Sequence, residues 1–245
     1  MTWVAKSHTI SLIRKGTNIL KNNSKKAFTM AEILLVLGII GVVAAISLPK
    51  LSDNVDEQAL VAATRKINTE LKDAHQAMVA RYGEPDSWLK SKDTKTNSLT
   101  YAQKLKSFLE VDNDCGQSAG SCMPQSYTDA YYLKLKSGAG LAFYNYSIPD
   151  LTCSTSGNKF YPCVFGNIYV DVNGYEKGPN QNGFDIFRFD VSANGVEPVG
   201  LSETVGVVLN NSNRETNTAW VIKTGNEDYN KCFSSLSWSG KRTCN

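Results

Sequence analysis

The segment KKAFTMAEILLVLGIIGVVAAISLP, residues 25–49, is the most informative part of this 245-residue chain. It carries no charge from Ile33 to Leu48, and between Phe28 and Leu48 only Glu32 interrupts the apolar run. At about 1.5 Å per residue, a helix from Phe28 to Leu48 is roughly 30 Å long, which matches the hydrocarbon core of a bilayer. The sequence therefore predicts a membrane-spanning helix over residues 28–48.

The charges on either side predict how this helix is oriented. The chain has 26 Lys and Arg against 23 Asp and Glu, but residues 1–27 hold several of the bases and no acid, so the remainder is net acidic. Because basic flanks stay on the cytoplasmic side, we expect residues 1–27 in the cytoplasm and everything after Pro49 across the membrane. No direct contact with nucleic acid is predicted, since a nucleic-acid-binding protein keeps its basic excess on the folded domain.

Glu32 separates two interpretations of the apolar stretch. A secretory signal peptide would also combine a basic start, an apolar run and small residues at 43–45. A carboxylate in an apolar helix costs up to roughly 3 kcal/mol at the bilayer centre, so it is seldom kept without a partner. Glu32 therefore indicates a function that a signal peptide does not need.

The surroundings of Glu32 resemble the processing signal of the type IV pilins and type II secretion pseudopilins. The resemblance rests on the basic pair at 25–26, the small Ala27, the following Phe28, Glu32, the apolar run and Pro49, and it covers this stretch alone. It implies that a prepilin peptidase cuts between Ala27 and Phe28 and that the new amino terminus of Phe28 is methylated. Ala27 departs from the Gly that is usual at the cut, and Ala31 replaces a larger aliphatic residue.

The same resemblance implies a structural subunit and not an enzyme. The protein would be a single-pass inner-membrane protein that the pilus assembly machinery adds to a homo-oligomeric or mixed filament, either a type IV pilus or the pseudopilus of a type II protein secretion or DNA-uptake system. Stacked parallel helices would bring the Glu32 carboxylate of one subunit to the amino terminus of Phe28 of the next, which satisfies two otherwise costly charges. Pro49 falls where the family has a helix-kinking proline.

Beyond Pro49 the apolar residues recur every three to five positions up to Tyr82, and Gly83 and Pro85 give a helix-stop signal. Residues 28–82 are thus predicted to form one helix of about 80 Å, kinked near Pro49. Its amphipathic half, residues 49–83, is expected to pack on a globular domain formed by residues 84–245.

That domain is predicted to be mainly an antiparallel sheet. Residues 86–98 are polar and predict a loop, and a short helix is expected over 99–110. Alternating apolar residues predict strands at 131–135, 141–146, 167–172, 186–191, 205–208 and 219–223, with a turn at 194–195. The fold class is therefore α+β: a long N-terminal helix on a C-terminal antiparallel sheet, which is the pilin-like architecture.

Six cysteines, an even number in a domain expected outside the cytoplasm, favour disulfides over a metal site. They permit 15 connectivities, and the short separations favour sequential pairing because short loops are the least costly to close. The expected pairs are Cys115–Cys122, Cys153–Cys163 and Cys232–Cys244.

Catalytic residues are scarce. The two histidines are His8, in the leader, and His75, for which a partly exposed structural role on the helix is expected. No nucleophile elbow, phosphate-binding loop or zinc-protease motif occurs. No enzymatic activity is predicted.

One polar stretch, from Asp171 to Asp185, offers the oxygen ligands that calcium prefers. They are Asp171, Asn173, Glu176, Asn180 and Asp185. The competing interpretation is a turn held by hydrogen bonds from Asp and Asn side chains between two strands, and no metal ligand is assigned.

Two further interpretations stay open. The protein could be a membrane-anchored or secreted binding module with an ordinary export segment, or an adhesin-like minor pilin that binds a ligand near residues 144–185. Tyrosines could form a ligand-stacking surface there, although core packing and cross-strand pairing are the usual roles of such residues. They are Tyr131, Tyr132, Tyr144, Tyr146, Tyr161 and Tyr169.

Overall fold

The computed structural model describes residues 29–148, 164–192, 194–202 and 206–244, without the side chains of residues 46–55. The predicted leader and cleavage site, Ala27 and Phe28 included, lie outside the described residues, as do the side chain of Pro49 and the cysteines 153 and 163. The chain divides into two units, residues 1–48 and residues 49–245.

The first element is helix α1, Met30–Tyr82, of 53 residues. It ends where the sequence predicts, because Gly83 adopts φ +80° and its N–H donates to the carbonyl of Val79 at 2.9 Å. Within the described ranges, none of the helices has the combination of length and apolar character that a membrane crossing needs.

The remaining helices are short and lie before and after the sheet. They are α2 (Pro85–Trp88), α3 (Thr94–Lys106), α4 (Thr218–Thr224) and α5 (Tyr229–Cys232), with 3-10 turns at Arg214–Asn217 and Phe233–Ser235. The two 3-10 turns immediately precede α4 and follow α5.

In the part of the chain that the structure describes, the sheet has six antiparallel strands in the order β1-β2-β3-β4-β5-β6. They are β1 (Val111–Gly116), β2 (Tyr131–Leu135), β3 (Gly140–Tyr144), β4 (Gly166–Asp171), β5 (Ile186–Ser192) and β6 (Gly195–Pro198). A separate small pair joins β7 (Leu201–Ser202) to β8 (Gly206–Val207). The prediction of an α+β fold with an antiparallel sheet is confirmed.

The core explains why the middle strands are buried almost continuously. The main cluster combines Leu71 and Met78 of α1 with Tyr101 of α3 and apolar residues of the sheet such as Phe143 and Phe189. A second cluster, made of Ala119, Cys122, Met123, Ala130, Tyr132 and Ala142, is separate from the first. Neighbouring residues of β2 and β3 belong to different clusters, so both faces of these strands are covered.

Three sequence predictions need correction. The helix expected at 99–110 begins earlier, at Thr94, because the Asp93 carboxylate accepts hydrogen bonds from the backbone N–H groups of Lys95 and Thr96 at 3.4 and 3.0 Å. Part of the predicted loop at 86–98 is therefore helical, and α2 occupies its start. The strand expected at 219–223 is helix α4, whose end is set by Gly225 at φ +79°. Strand β1 was not predicted, since its residues are mostly polar and exposed.

Two of the three expected disulfides are present. Cys115 is bonded to Cys122 and Cys232 to Cys244, with sequence separations of 7 and 12. The first closes the loop after β1, and the second ties the end of the described chain to α5.

Candidate functional site

The N-terminal part of α1, residues 30–43, has an exposed and mostly apolar surface. All residues from Met30 to Val43 are exposed, and the large apolar side chains among them range from 48% to 82% exposure. A methyl group added at Gly38 or Gly41 would have no atom of the described residues within 4 Å, apart from those of the adjoining helix backbone. Exposed apolar area of this extent, on every side of a helix, indicates contact with lipid or with other helices.

Glu32 has a local partner that the sequence analysis did not identify. Its Oε2 accepts hydrogen bonds from the backbone N–H and the hydroxyl of Thr29, both at 2.9 Å, and the Thr29 hydroxyl accepts from the Glu32 N–H at 3.2 Å. This reciprocal arrangement is a capping box at the start of α1. The signature Thr-x-x-Glu at 29–32 could have revealed it.

The second half of α1 is buried where the apolar stripe predicts. Ile67, Leu71, Ala74 and Met78 are at most 3% exposed. Tyr82, the last member of the stripe, is 38% exposed. The stripe therefore packs into the globular unit, and only its last described member is substantially exposed.

His75 is buried, and the expectation of partial exposure is wrong. Only 4% of it is exposed, its Nδ1 lies 2.6 Å from the Tyr101 hydroxyl, and the two rings stack at 6.0 Å. Burial lowers the pKa of His75 to about 4. The imidazole is thus neutral at pH 7 and links α1 to α3 as a structural group.

The loop between β4 and β5 contains the hydrogen bonds that the turn interpretation requires. Asp185 accepts from the backbone N–H groups of Asn180 and Gln181, both at 2.7 Å, and Asp171 accepts from that of Gly174 at 2.9 Å. Both aspartates are completely buried. Each carboxylate therefore organises the backbone of the turn.

Of the five expected calcium ligands, two are engaged elsewhere. Asp185 is held by the turn, and the exposed Glu176 lies 3.7 Å from Lys134. Three buried oxygens of the loop have no hydrogen-bond partner: Asp171 Oδ2, Asn173 Oδ1 and Asn180 Oδ1. Burial, followed by the nearby Asp185 carboxylate, raises the pKa of Asp171 to about 6.

These three oxygens are the remaining acceptors for a cation in the loop, and they are of the type that calcium prefers. Among the described residues, no group of three or more His, Cys, Asp or Glu side chains could hold a metal ion. The calcium hypothesis therefore depends on one carboxylate and two amides and stays a prediction.

The tyrosines divide between core and surface. Tyr131, Tyr132 and Tyr146 are at most 7% exposed. Tyr144 and Tyr169 are half-buried and form a cluster with Tyr127, with ring centroids 4.4 to 6.1 Å apart. Because the rings pack mainly on one another, they act as cross-strand contacts. Tyr161 lies outside the described residues.

Compared with models of protein families, with curated proteins and with solved structures, the chain matches none of them.

Proposed function

We propose that this protein is a pilin-like structural subunit, anchored in the inner membrane by residues 28–48 and polymerised through that helix into a type IV pilus or a pseudopilus. A prepilin peptidase cuts between Ala27 and Phe28, and assembly rather than catalysis is the function. The observation that carries the proposal is the contrast within α1: residues 30–43 are exposed and, apart from Glu32, mostly apolar, while the apolar stripe of its second half is buried in the globular unit.

The contrast supports assembly because the two halves of α1 have different requirements. The second half already has its partners in α3 and the sheet. The first half is exposed over residues 30–43, and an exposed apolar helix surface is stable only in lipid or among other helices. A filament supplies both environments in succession, first the membrane and then neighbouring subunits.

Glu32 fits the proposal in a specific way. Its Oε2 is engaged by Thr29, and a carboxylate has further acceptor positions for a neighbour's amino group. Cleavage before Phe28 creates such an amino group four residues away. We therefore expect the capping box to position the carboxylate and the charge to set the register between subunits.

The first test is the mass of the N-terminal peptide of the protein purified from native membranes. A peptide that begins with N-methylated Phe28 supports the proposal. A peptide that begins near Leu48, or one that retains the leader, contradicts it and favours a secreted or anchored binding module.

The second test separates the charge of Glu32 from its capping role. Glu32→Gln keeps a capping-box residue without the charge, whereas Glu32→Ala removes both. We expect normal cleavage in both variants and a large loss of subunits from sheared filaments in both, with the exposed Glu176→Gln as a control that assembles normally. Normal filaments in Glu32→Gln would refute the charge-pairing model.

A further inference from the structure

The C-terminal segment, residues 218–244, is attached to α1 at two points. Arg65 Nε donates to the carbonyl of Ile222 at 3.0 Å, and Glu57 Oε1 accepts from the backbone N–H of Glu227 at 2.9 Å. The other oxygen of Glu57 forms an ion pair with Lys231 of α5. Glu57 and Arg65 are two helical turns apart and therefore lie on the same side of α1.

A second acid, Glu227 itself, lies buried at this junction. It is 5% exposed, and its Oε1 is buried with no hydrogen-bond partner. The charged groups that act on it come from three elements: Glu57 of α1, Asp185 of the β4–β5 turn and Lys231 of α5. Asp228 and Tyr229 adjoin it in sequence, but both have other hydrogen-bond partners. The Asp228 carboxylate accepts from the N–H of Cys244 at 2.8 Å, and the Tyr229 hydroxyl donates to the carbonyl of Gly183.

The balance of these charges favours a protonated Glu227. Lys231 is the one cation of the group, and it is already paired with Glu57. An ionised Glu227 would be a buried charge next to two other carboxylates, which is costly. Burial and then the repulsion from Glu57 and Asp185 raise the pKa of Glu227 to about 8.

We propose that Glu227 is a proton-controlled latch: when protonated it lets the C-terminal segment close on α1, and when ionised it repels Glu57 and releases residues 222–231 from the helix. The proton leaves to solvent, and the Cys232–Cys244 disulfide, which closes the loop after this segment, stays intact.

The sign of the pH dependence follows from proton binding. The closed state holds a proton on Glu227 up to about pH 8, whereas in the open state the carboxyl has its ordinary pKa of 4.5. Opening therefore becomes easier as the pH rises from 4.5 to about 8, by up to about tenfold per pH unit, and no easier beyond that.

Amide hydrogen exchange of the full-length protein tests the latch at pH 5, 6, 7 and 8. The measured quantity is the exchange rate of the amides of residues 222–231 divided by the rate of the same amides in an unstructured peptide at the same pH, which removes the intrinsic pH dependence of exchange. We expect this ratio to rise by up to about tenfold per pH unit in the wild type and in Glu176→Gln, and to be flat in Glu227→Gln.

Two results would overturn the latch. One is an exchange ratio of residues 222–231 that does not change with pH in the wild type, a result that can be obtained without any variant. The other is a rise in Glu227→Gln as steep as that of the wild type. The variant Glu57→Gln is a separate test, because it lacks the carboxylate that repels an ionised Glu227. The increase of the exchange ratio with pH should therefore stop at a lower pH than in the wild type. An increase that stops at the same pH would contradict the latch.

Discussion

Replacing His75 by Gln tests the buried contact between α1 and α3 through its pH dependence. Burial lowers the pKa of His75 from 6.5 to about 4, so between these values the unfolded chain binds a proton that the folded protein does not. The free energy of unfolding therefore falls as the pH falls through this window. With 1.4 kcal/mol for each pKa unit, the contribution of His75 from pH 7 to pH 5 is a loss of about 2 kcal/mol.

The assay is urea unfolding of the full-length wild type and His75→Gln in detergent at pH 5, 6 and 7, followed by circular dichroism. Asp171 and Glu227 also titrate in this range, with raised pKa values that act in the opposite direction. Their contributions cancel in the difference between the two proteins. The wild type should lose about 2 kcal/mol relative to the variant between pH 7 and pH 5. A difference that stays constant over this range would refute the burial of a neutral His75.

Three further predictions concern the loop, the sheet and the core. If the β4–β5 loop binds calcium, thermal unfolding should occur at a higher temperature in millimolar calcium than in EDTA for the wild type and not for Asp171→Asn; equal wild-type values would eliminate the site. Gly140→Ala should lower the free energy of unfolding, measured with urea, by about 1–3 kcal/mol, because the added methyl group would overlap the carbonyl of Cys122. Gly38→Ala should leave the free energy of unfolding unchanged, because the methyl group would meet no other part of the described chain within 4 Å. Leu71→Ala should cost about 2–5 kcal/mol in the same assay, since Leu71 is fully buried, and a cost below 1 kcal/mol would contradict its place in the core.

Elements with clear local signals could be predicted from the sequence. The end of α1 was marked by Gly83 and Pro85, and the structure ends the helix at Tyr82. The β2–β3 hairpin and strands β4 and β5 have alternating or continuous apolar runs bounded by glycine and polar residues, and each was predicted within two residues of its observed ends. The close cysteine spacings likewise predicted the two described disulfides.

Elements that depend on tertiary packing could not be predicted in the same way. The run from Ala219 to Ile222 is apolar at every position, so its period does not distinguish helix from strand, and the strand predicted there is helix α4. Strand β1 is held by pairing with β2 and not by an apolar face of its own.

The candidate site shows both situations. The capping box of Thr29 and Glu32 could be predicted from the sequence, because its whole signature lies within four consecutive residues. The burial of His75 could also be predicted, because residues 71, 74, 75 and 78 lie on one side of the helix. The buried carboxyl of Glu227, whose Oε1 has no hydrogen-bond partner, could not be predicted, because its neighbour Glu57 is 170 positions away in the sequence.

The order of the strands in the sheet has a consequence for how the domain is made. Each strand from β2 to β6 pairs with the strand synthesised just before it, and α1 precedes them all. A chain synthesised with α1 first can therefore add strands one at a time to an edge that is already in place. No strand has to wait for a partner that is synthesised much later, so little of the sheet is exposed to aggregation during folding.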